Sequence, residues 1–261
     1  MQAQTIENYQ DNIVQLEVVK KLKQNPKLKT DGMEKQTPNN NSVNRWVHPI
    51  RELSDVKKCI EYLHDKALSS KRLDTQRAAY RDWFLFVVGI NVGLRVSDLT
   101  HLRWDNVFES DMKTFVDGRN KEEQKTGKLK LICPNEYIKK VVKEYLYFSD
   151  TNPKAGEHVF LKGRKNKDNT YSPISDATVE KMIKEVTKAY GIKGNYNTHS
   201  LRKTYAYHKY MMYVKNGDPL ALVKVQKDLN HRNSSDTARY LGITRDEQIK
   251  SSMELGEYWD L

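Results

Sequence analysis

A histidine and an arginine stand three positions apart in Thr198-His199-Ser200-Leu201-Arg202, a second histidine follows at His231, and a tyrosine at Tyr240. A guanidinium is a planar fork of donors that meets two oxygens of a phosphate at once, a geometry a lysine cannot reproduce. A histidine adds a donor or a proton carrier near neutral pH, and a tyrosine hydroxyl becomes a nucleophile once its proton is removed. Together these residue types describe a site that holds and attacks a phosphate. Far upstream, Gly93-Leu94-Arg95-Val96-Ser97-Asp98-Leu99 adds another arginine in a sharply bounded segment. Residues three apart on a helix are neighbours, so His199 and Arg202 can address one ligand, and the free amides of a helix N-terminus favour an anion there. Taken singly, each residue has a plainer reading. Arg95 could pair with Asp98 on a helix surface, His231 could be a turn histidine, and Tyr240 is one of 15 tyrosines. Their joint spacing is what raises them.

Composition narrows the partners. The 261 residues suffice for one large domain with a buried core. A formal net charge of +11 with 30% charged residues favours a polyanion, nucleic acid first. No apolar run approaches the roughly 20 residues that span a bilayer, and no signal-peptide pattern opens the chain. A cytoplasmic, DNA-associated protein with no membrane partner is therefore expected. Cys59 and Cys133 lie far apart and read as two reduced thiols that pack as small hydrophobes. With no CxxC, HExxH or clustered carboxylates, neither a metal nor another cofactor is expected. Nor is there a GxxxxGK[ST] loop, which argues against an ATP-driven DNA enzyme.

The elements that must position these groups follow from periodicity. Residues 6–23 carry Tyr9, Ile13, Leu16, Val19 and Leu22 near helical spacing, and residues 24–44 read as a flexible linker. Residues 1–45 are thus expected to hold a short helix and linker, and 46–261 the main domain. Ser54 is placed to cap a helix through Val56, Ile60 and Leu63. Residues 73–90 read as a longer helix ending apolar on almost every side, stopped between Gly89 and Gly93. A short helix is expected over 94–104. Alternation at Leu129, Leu131 and Cys133 predicts a half-buried strand, and Thr126-Gly127 suits a hairpin turn. Further helices are expected through Ile138 to Leu146, after a cap at Ser175 or Asp176, and from His199 inward along Leu201, Tyr205 and Met212. Thr198 and Ser200 are both suitable caps for that helix. Pro219 is expected to open a helix with Leu220, Val223 and Leu229 in the core. Ser234 or Ser235 caps one carrying Tyr240, closed by Gly242, and residues 246–255 form a last helix whose small apolar face suits packing on a neighbouring subunit. The basic loop 162–169 could lie against a phosphate backbone or merely be solvated.

Three segments carry a resemblance. Gly93-Leu94-Arg95-Val96-Ser97-Asp98-Leu99-Thr100-His101-Leu102-Arg103-Trp104, His199-Ser200-Leu201-Arg202-Lys203-Thr204, and Leu229-Asn230-His231 through Arg239-Tyr240-Leu241 resemble, in this order, the three boxes of the tyrosine recombinase (phage integrase) family. The likeness covers roughly residues 47–243. It implies an α+β, mostly helical catalytic domain with a small antiparallel β-hairpin at one edge. By the same resemblance Tyr240 is the nucleophile that forms a 3′-phosphotyrosyl DNA intermediate and frees a 5′-hydroxyl. Arg95 and Arg202 clamp the non-bridging oxygens, His231 donates to one of them, and His199 assists proton transfer. Asp98 matches the acidic position supporting the first arginine. The family's hairpin lysine falls on Lys125 by the Gln-Lys-Thr-Gly pattern, with Lys121 and Lys128 as competitors. The chemistry fits these roles: charge gathers on phosphate oxygens in the transition state and guanidiniums meet it, while a tyrosine of ordinary pKa near 10 needs cationic neighbours to react as phenolate.

The implied function is site-specific recombination or integration on double-stranded DNA by a homotetramer, as in a mobile genetic element, with room for an accessory DNA-bending protein. Two departures from the family's pattern stand out. The 45 residues before Trp46 are too few for the helical core-binding domain of roughly a hundred residues that most members carry, and Asn230 stands where glycine is usual. A glycine there often has positive φ, which asparagine tolerates. A non-catalytic DNA-binding regulator on the same fold, or a type IB topoisomerase or telomere resolvase, would share much of this sequence.

Overall fold

The structure, a computed structural model, describes residues 46–241 and 245–259, with side chains at 46–241 and 251–259. The helix and linker expected before residue 46, and the closing role of Gly242, lie outside the described residues. Helix α1 (Leu53–Ser69) buries Val56, Cys59, Leu63 and Ala67, one stripe at helical spacing. It starts two residues earlier than expected, after Glu52, with no side-chain cap, so Ser54 lies inside the helix.

Helix α2 (Leu73–Val92) is the axis of the domain: Tyr80, Trp83, Phe84, Leu85, Phe86, Val87 and Val88 are all buried. A helix apolar on every side is stable only when surrounded. Here α1, α4 (Glu136–Ser149) and α6 (His199–Lys215) pack on it, and with α5 (Asp176–Ala189) they enclose the main core. The cap expected at Ser175 is made by its hydroxyl accepting Thr178 N (3.4 Å), and α4 is capped in the same way by Asn135, whose side-chain oxygen accepts Ile138 N (2.8 Å). Gly93 ends α2 in the left-handed region at φ 68°, and a Cβ there would lie 2.1 Å from the Tyr205 ring. Backbone conformation and close approach thus both require glycine. The helix expected over 94–104 is shorter: α3 spans Val96–Thr100, and a 3₁₀ turn, Trp104–Asn106, follows with Trp104 buried.

The hairpin pairs β1 (Arg119–Glu122) with β2 (Leu129–Ile132), antiparallel, with Arg119 opposite Ile132 and Glu122 opposite Leu129. Its buried face is the reverse of the one expected. Leu129, Leu131 and Cys133 are exposed, whereas Lys130 and Ile132 are buried. The alternation was correct but its phase was not, because Lys130 buries its stem and delivers its ammonium to Asp228 O at 2.5 Å.

A second, smaller core joins α6 to α7 (Ala221–Asp228) and α8 (Ser234–Leu241) through Tyr205, Ala206, Val225, Leu229 and Leu241. Leu220 and Val223 are exposed instead of inward, and Ala221 and Val225 take their places, since the helix begins after Leu220. Met212 is likewise exposed, on the part of α6 beyond its buried first turns. Helix α9 (Arg245–Trp259) completes the described chain. Among the described residues no helix is long and apolar enough to cross a membrane.

Candidate active site

Two turns and a hairpin bring the expected residues to one place. Arg95 precedes α3 in extended conformation, directly after the Gly93 turn. Arg202 lies in the first turns of α6, where Ser200 to Ala206 are all buried. The start of α6 is organised by Asn197 rather than by a Thr198 or Ser200 cap. The Asn197 side chain accepts His199 N at 2.9 Å, and Ser200 Oγ accepts Asn197 N at 3.1 Å.

Arg202 is almost wholly buried and braced on two sides: Nη1 donates to Gly93 O at 2.7 Å and Nη2 to Leu229 O at 2.6 Å. One guanidinium therefore binds together the turn before Arg95 and the loop before His231. Its Nε is buried with no acceptor among the described residues. Burial first, then the charge of Arg95, pushes the Arg202 pKa below its ordinary value, opposed by Tyr240 and Glu123.

Glu123 is the residue that sequence reasoning missed. It is fully buried at the root of the hairpin turn, with Oε2 2.6 Å from Arg95 Nη1 and Oε1 3.4 Å from Arg202 Nη1. The Thr126 hydroxyl donates to Oε2 at 2.8 Å. Burial opposes ionisation of this carboxyl, but Thr126 and the two guanidiniums outweigh it and hold its pKa below the ordinary value. Asp98, also fully buried, accepts Gln124 N at 2.8 Å. Asp98 thus holds the hairpin turn, and the guanidinium of Arg95 goes to Glu123 instead.

The hairpin lysines are separated by their surroundings. Lys128 Nζ donates to Asn230 O at 2.7 Å and Lys130 Nζ to Asp228 O. The charge of Lys121 is felt at His158. Lys125, exposed at the turn, makes no hydrogen bond or ion pair to the described residues, and its charge is felt at His199. Burial, then Arg202, Lys203, Lys125 and Arg95, lowers the pKa of His199, so four cationic side chains converge on this imidazole.

His231 follows Asn230, whose φ of 54° is the left-handed conformation anticipated for that position. The imidazole Nδ1 lies 3.1 Å from Thr237 Oγ1 of α8, and the ring meets that of Tyr240 edge to face, centroids 4.7 Å apart. Burial, then the charge of Arg202, lowers its pKa to about 4. Tyr240 is half-buried in α8, and Lys203 Nζ stands 5.3 Å above its ring while donating to Val47 O at 2.8 Å. A recess of about 350 Å³ opens here, lined by Trp46, Val47, His199, Lys203, Arg239 and Tyr240. Arg95, Lys125, His199, Arg202, His231 and Tyr240 therefore face one another electrostatically or by contact, although their elements are spread over the whole domain.

A model of the phage integrase family matches residues 58–247, which include all three boxes. The chain belongs to the phage integrase family. Among its relatives, the probable integrase/recombinase YoeC of Bacillus subtilis (strain 168) is 31% identical over 200 residues, covering 77% of this chain and 92% of that protein. The tyrosine recombinase XerC of Caldanaerobacter subterraneus subsp. tengcongensis (strain DSM 15242 / JCM 11007 / NBRC 100824 / MB4) is 30% identical over 178 residues, 66% of this chain and 44% of XerC. Of solved structures, the XerH site-specific recombinase in a post-cleavage complex with a palindromic difH substrate aligns at a TM-score of 0.53. The identity is 16%, over 81% of this chain and 53% of XerH. XerA recombinase aligns at a TM-score of 0.52 and 19% identity, over 84% of this chain and 66% of XerA. At such identities the structural likeness is one of fold, a mostly helical tyrosine recombinase catalytic domain with a two-stranded sheet. The chain spans about half the length of the XerC and XerH chains it matches.

Proposed function

We propose that this integrase-family chain cuts and rejoins double-stranded DNA at specific sites through a covalent bond to Tyr240. The single observation that carries the reading is that Arg202 feels the charge of Tyr240, His231 packs edge to face on the Tyr240 ring, and His199, on which Arg95, Arg202 and Lys125 all act, lines one recess with Tyr240. Tyr240 Oη attacks the phosphorus as the bond from phosphorus to the 5′-oxygen breaks. The electron pair goes to that oxygen, which takes its proton from Lys125, and the tyrosine proton passes toward His199. The product is a 3′-phosphotyrosyl ester and a free 5′-hydroxyl. Attack by a 5′-hydroxyl on the ester reverses the steps, and because the ester conserves the bond, resealing needs no nucleotide. Arg95, Arg202 through its unpartnered Nε, and His231 supply donors to the non-bridging oxygens as charge gathers there.

Strand exchange needs two duplexes and paired active sites, so a homotetramer on DNA is the working assembly, with α9 reaching a neighbouring copy. The net charge of +11 supports a polyanionic partner, and binding should weaken steeply with salt. The test is incubation of the protein with a nicked half-site of its cognate DNA, identified by sequencing DNA trapped on Tyr240. Wild type should leave an adduct that resists denaturing detergent, and Tyr240→Phe should leave none. An adduct surviving in Tyr240→Phe would remove Tyr240 as the nucleophile.

A further inference from the structure

Two guanidiniums that must grip one phosphate repel each other until it arrives, and something must set their spacing beforehand. The depressed pKa of Arg202, part of it due to Arg95, registers that repulsion. Among the described residues neither arginine is paired with a carboxylate of its own segment. Arg202 braces on backbone carbonyls. The carboxylate shared between the two arginines comes from the hairpin, 28 residues after Arg95 and 79 before Arg202.

Glu123 is built for this. Its backbone is fixed by the turn it starts: N donates to Lys128 O at 2.9 Å, and its carbonyl accepts Gly127 N at 2.9 Å and Thr126 N at 3.3 Å. The Thr126 hydroxyl then fixes the carboxylate itself. An immobile carboxylate with one oxygen on each arginine leaves little choice in where the guanidiniums stand. Being fully buried behind them, it is not placed to touch DNA. We infer that Glu123 is a positioning residue of the cleavage reaction, holding Arg95 and Arg202 at the separation and orientation that the scissile phosphate requires.

This inference rests on the strand-cleavage reading above, and one experiment separates the two. The full chain and its Glu123→Gln and Glu123→Asp variants are compared for thermal unfolding, DNA affinity and single-turnover adduct formation. Two half-sites are used, one normal and one with sulfur in place of the bridging 5′-oxygen. A sulfur leaving group departs as thiolate without an acid, but the non-bridging oxygens still need the arginines. Glutamine keeps the size of Glu123 and an acceptor for Thr126, and it removes the charge. Glu123→Gln should therefore cut the adduct rate by at least about 30-fold, toward the loss seen when an oxyanion donor is removed. Its DNA affinity should stay within about threefold of wild type, because backbone contacts elsewhere dominate binding. The loss should be equal on the sulfur substrate, whereas the defect of Lys125→Ala should disappear there. Glu123→Asp, charged but one methylene short, should fall between wild type and Glu123→Gln, and it carries the test if the glutamine variant does not fold.

Three results would overturn the assignment: a wild-type rate in both variants, a defect erased by sulfur, which would move the action of Glu123 to Lys125, or a loss that merely follows DNA affinity or folding. Wild-type protein that binds DNA yet gives no adduct on either substrate would instead remove the cleavage reading, and this assignment with it.

Discussion

His231 shows most directly what the site does to a single residue. Half-buried beside Arg202 and Arg95, its imidazole is pushed to about 4 and is neutral at physiological pH. A DNA phosphate placed among the same groups would offset the guanidinium field and raise that pKa. Binding of a half-site should thus be accompanied by proton uptake between about pH 4.5 and 6.5. Calorimetry in buffers of different ionisation enthalpy would measure it, and His231→Asn should reduce it; uptake unchanged in the variant would place the proton elsewhere. The free protein carries the matching sign. The unfolded histidine charges near 6.5 and the native one near 4, so the unfolded state binds more protons in that window. The His231 contribution to stability is therefore present above about pH 6.5 and is lost as pH falls toward 4. At this scale the sequence was readable where chemistry fixes spacing along the chain: Arg95, His199, Arg202, His231 and Tyr240 stand in three short boxes. Glu123 was not readable. It sits beside Glu122 in a polar, lysine-rich turn whose residues are ordinarily solvated, and only contacts across 79 residues of chain reveal it as buried.

The elements add a coupling that none of the single residues shows. The hairpin that carries Lys125 and Glu123 is tied to the end of α7 and the loop before His231 at three points. Lys128 donates to Asn230 O, Asn230 Nδ2 donates to Leu129 O at 3.0 Å, and Lys130 donates to Asp228 O. Glycine at position 230 could adopt the same φ but would lose the middle tie. Asn230→Gly should therefore keep global stability within about 1 kcal/mol. Hydrogen exchange of the amides in residues 123–131 should speed up by about fivefold, the equivalent of one such bond broken locally. Unchanged exchange would mean that the lysines alone hold the hairpin. The reversed face of β2 belongs to the same contact. Period-two alternation gives a strand and leaves open which face is buried. Lys130 turned inward because the Asp228 carbonyl and the Tyr205 ring, 5.2 Å from its ammonium, await it from α7 and α6. Helices α4 and α5 were legible from their apolar stripes, and α2 from a run apolar on almost every side. Leu220 and Val223 were misplaced because a helix that starts two residues later turns a different stripe inward.

For the whole molecule, the least satisfied element is α9. Every side chain described in it, residues 251–259, is exposed, including Met253, Leu255, Tyr258 and Trp259. A helix of 15 residues is marginal in water on its own, and most helical stability comes from burying one face. Four large apolar side chains on one short exposed helix mark an interaction surface. Under the homotetramer proposed above, a second copy of the chain is the partner that this surface would meet. If so, Met253→Ser combined with Trp259→Ser should leave the melting temperature of the free protein nearly unchanged, since exposed substitutions shift stability by about 0.5 kcal/mol or less. Adduct formation on an isolated half-site should also persist, because the Tyr240 site of one copy contains its own arginines, histidines and lysine. Assembly of two duplexes into one complex, followed by native gel or light scattering, should weaken by at least about tenfold, as expected when aromatic anchors of an interface are truncated. Equal loss of half-site cleavage and assembly would show that α9 completes the active site and not merely the complex. Unaltered assembly would leave its apolar face to another partner.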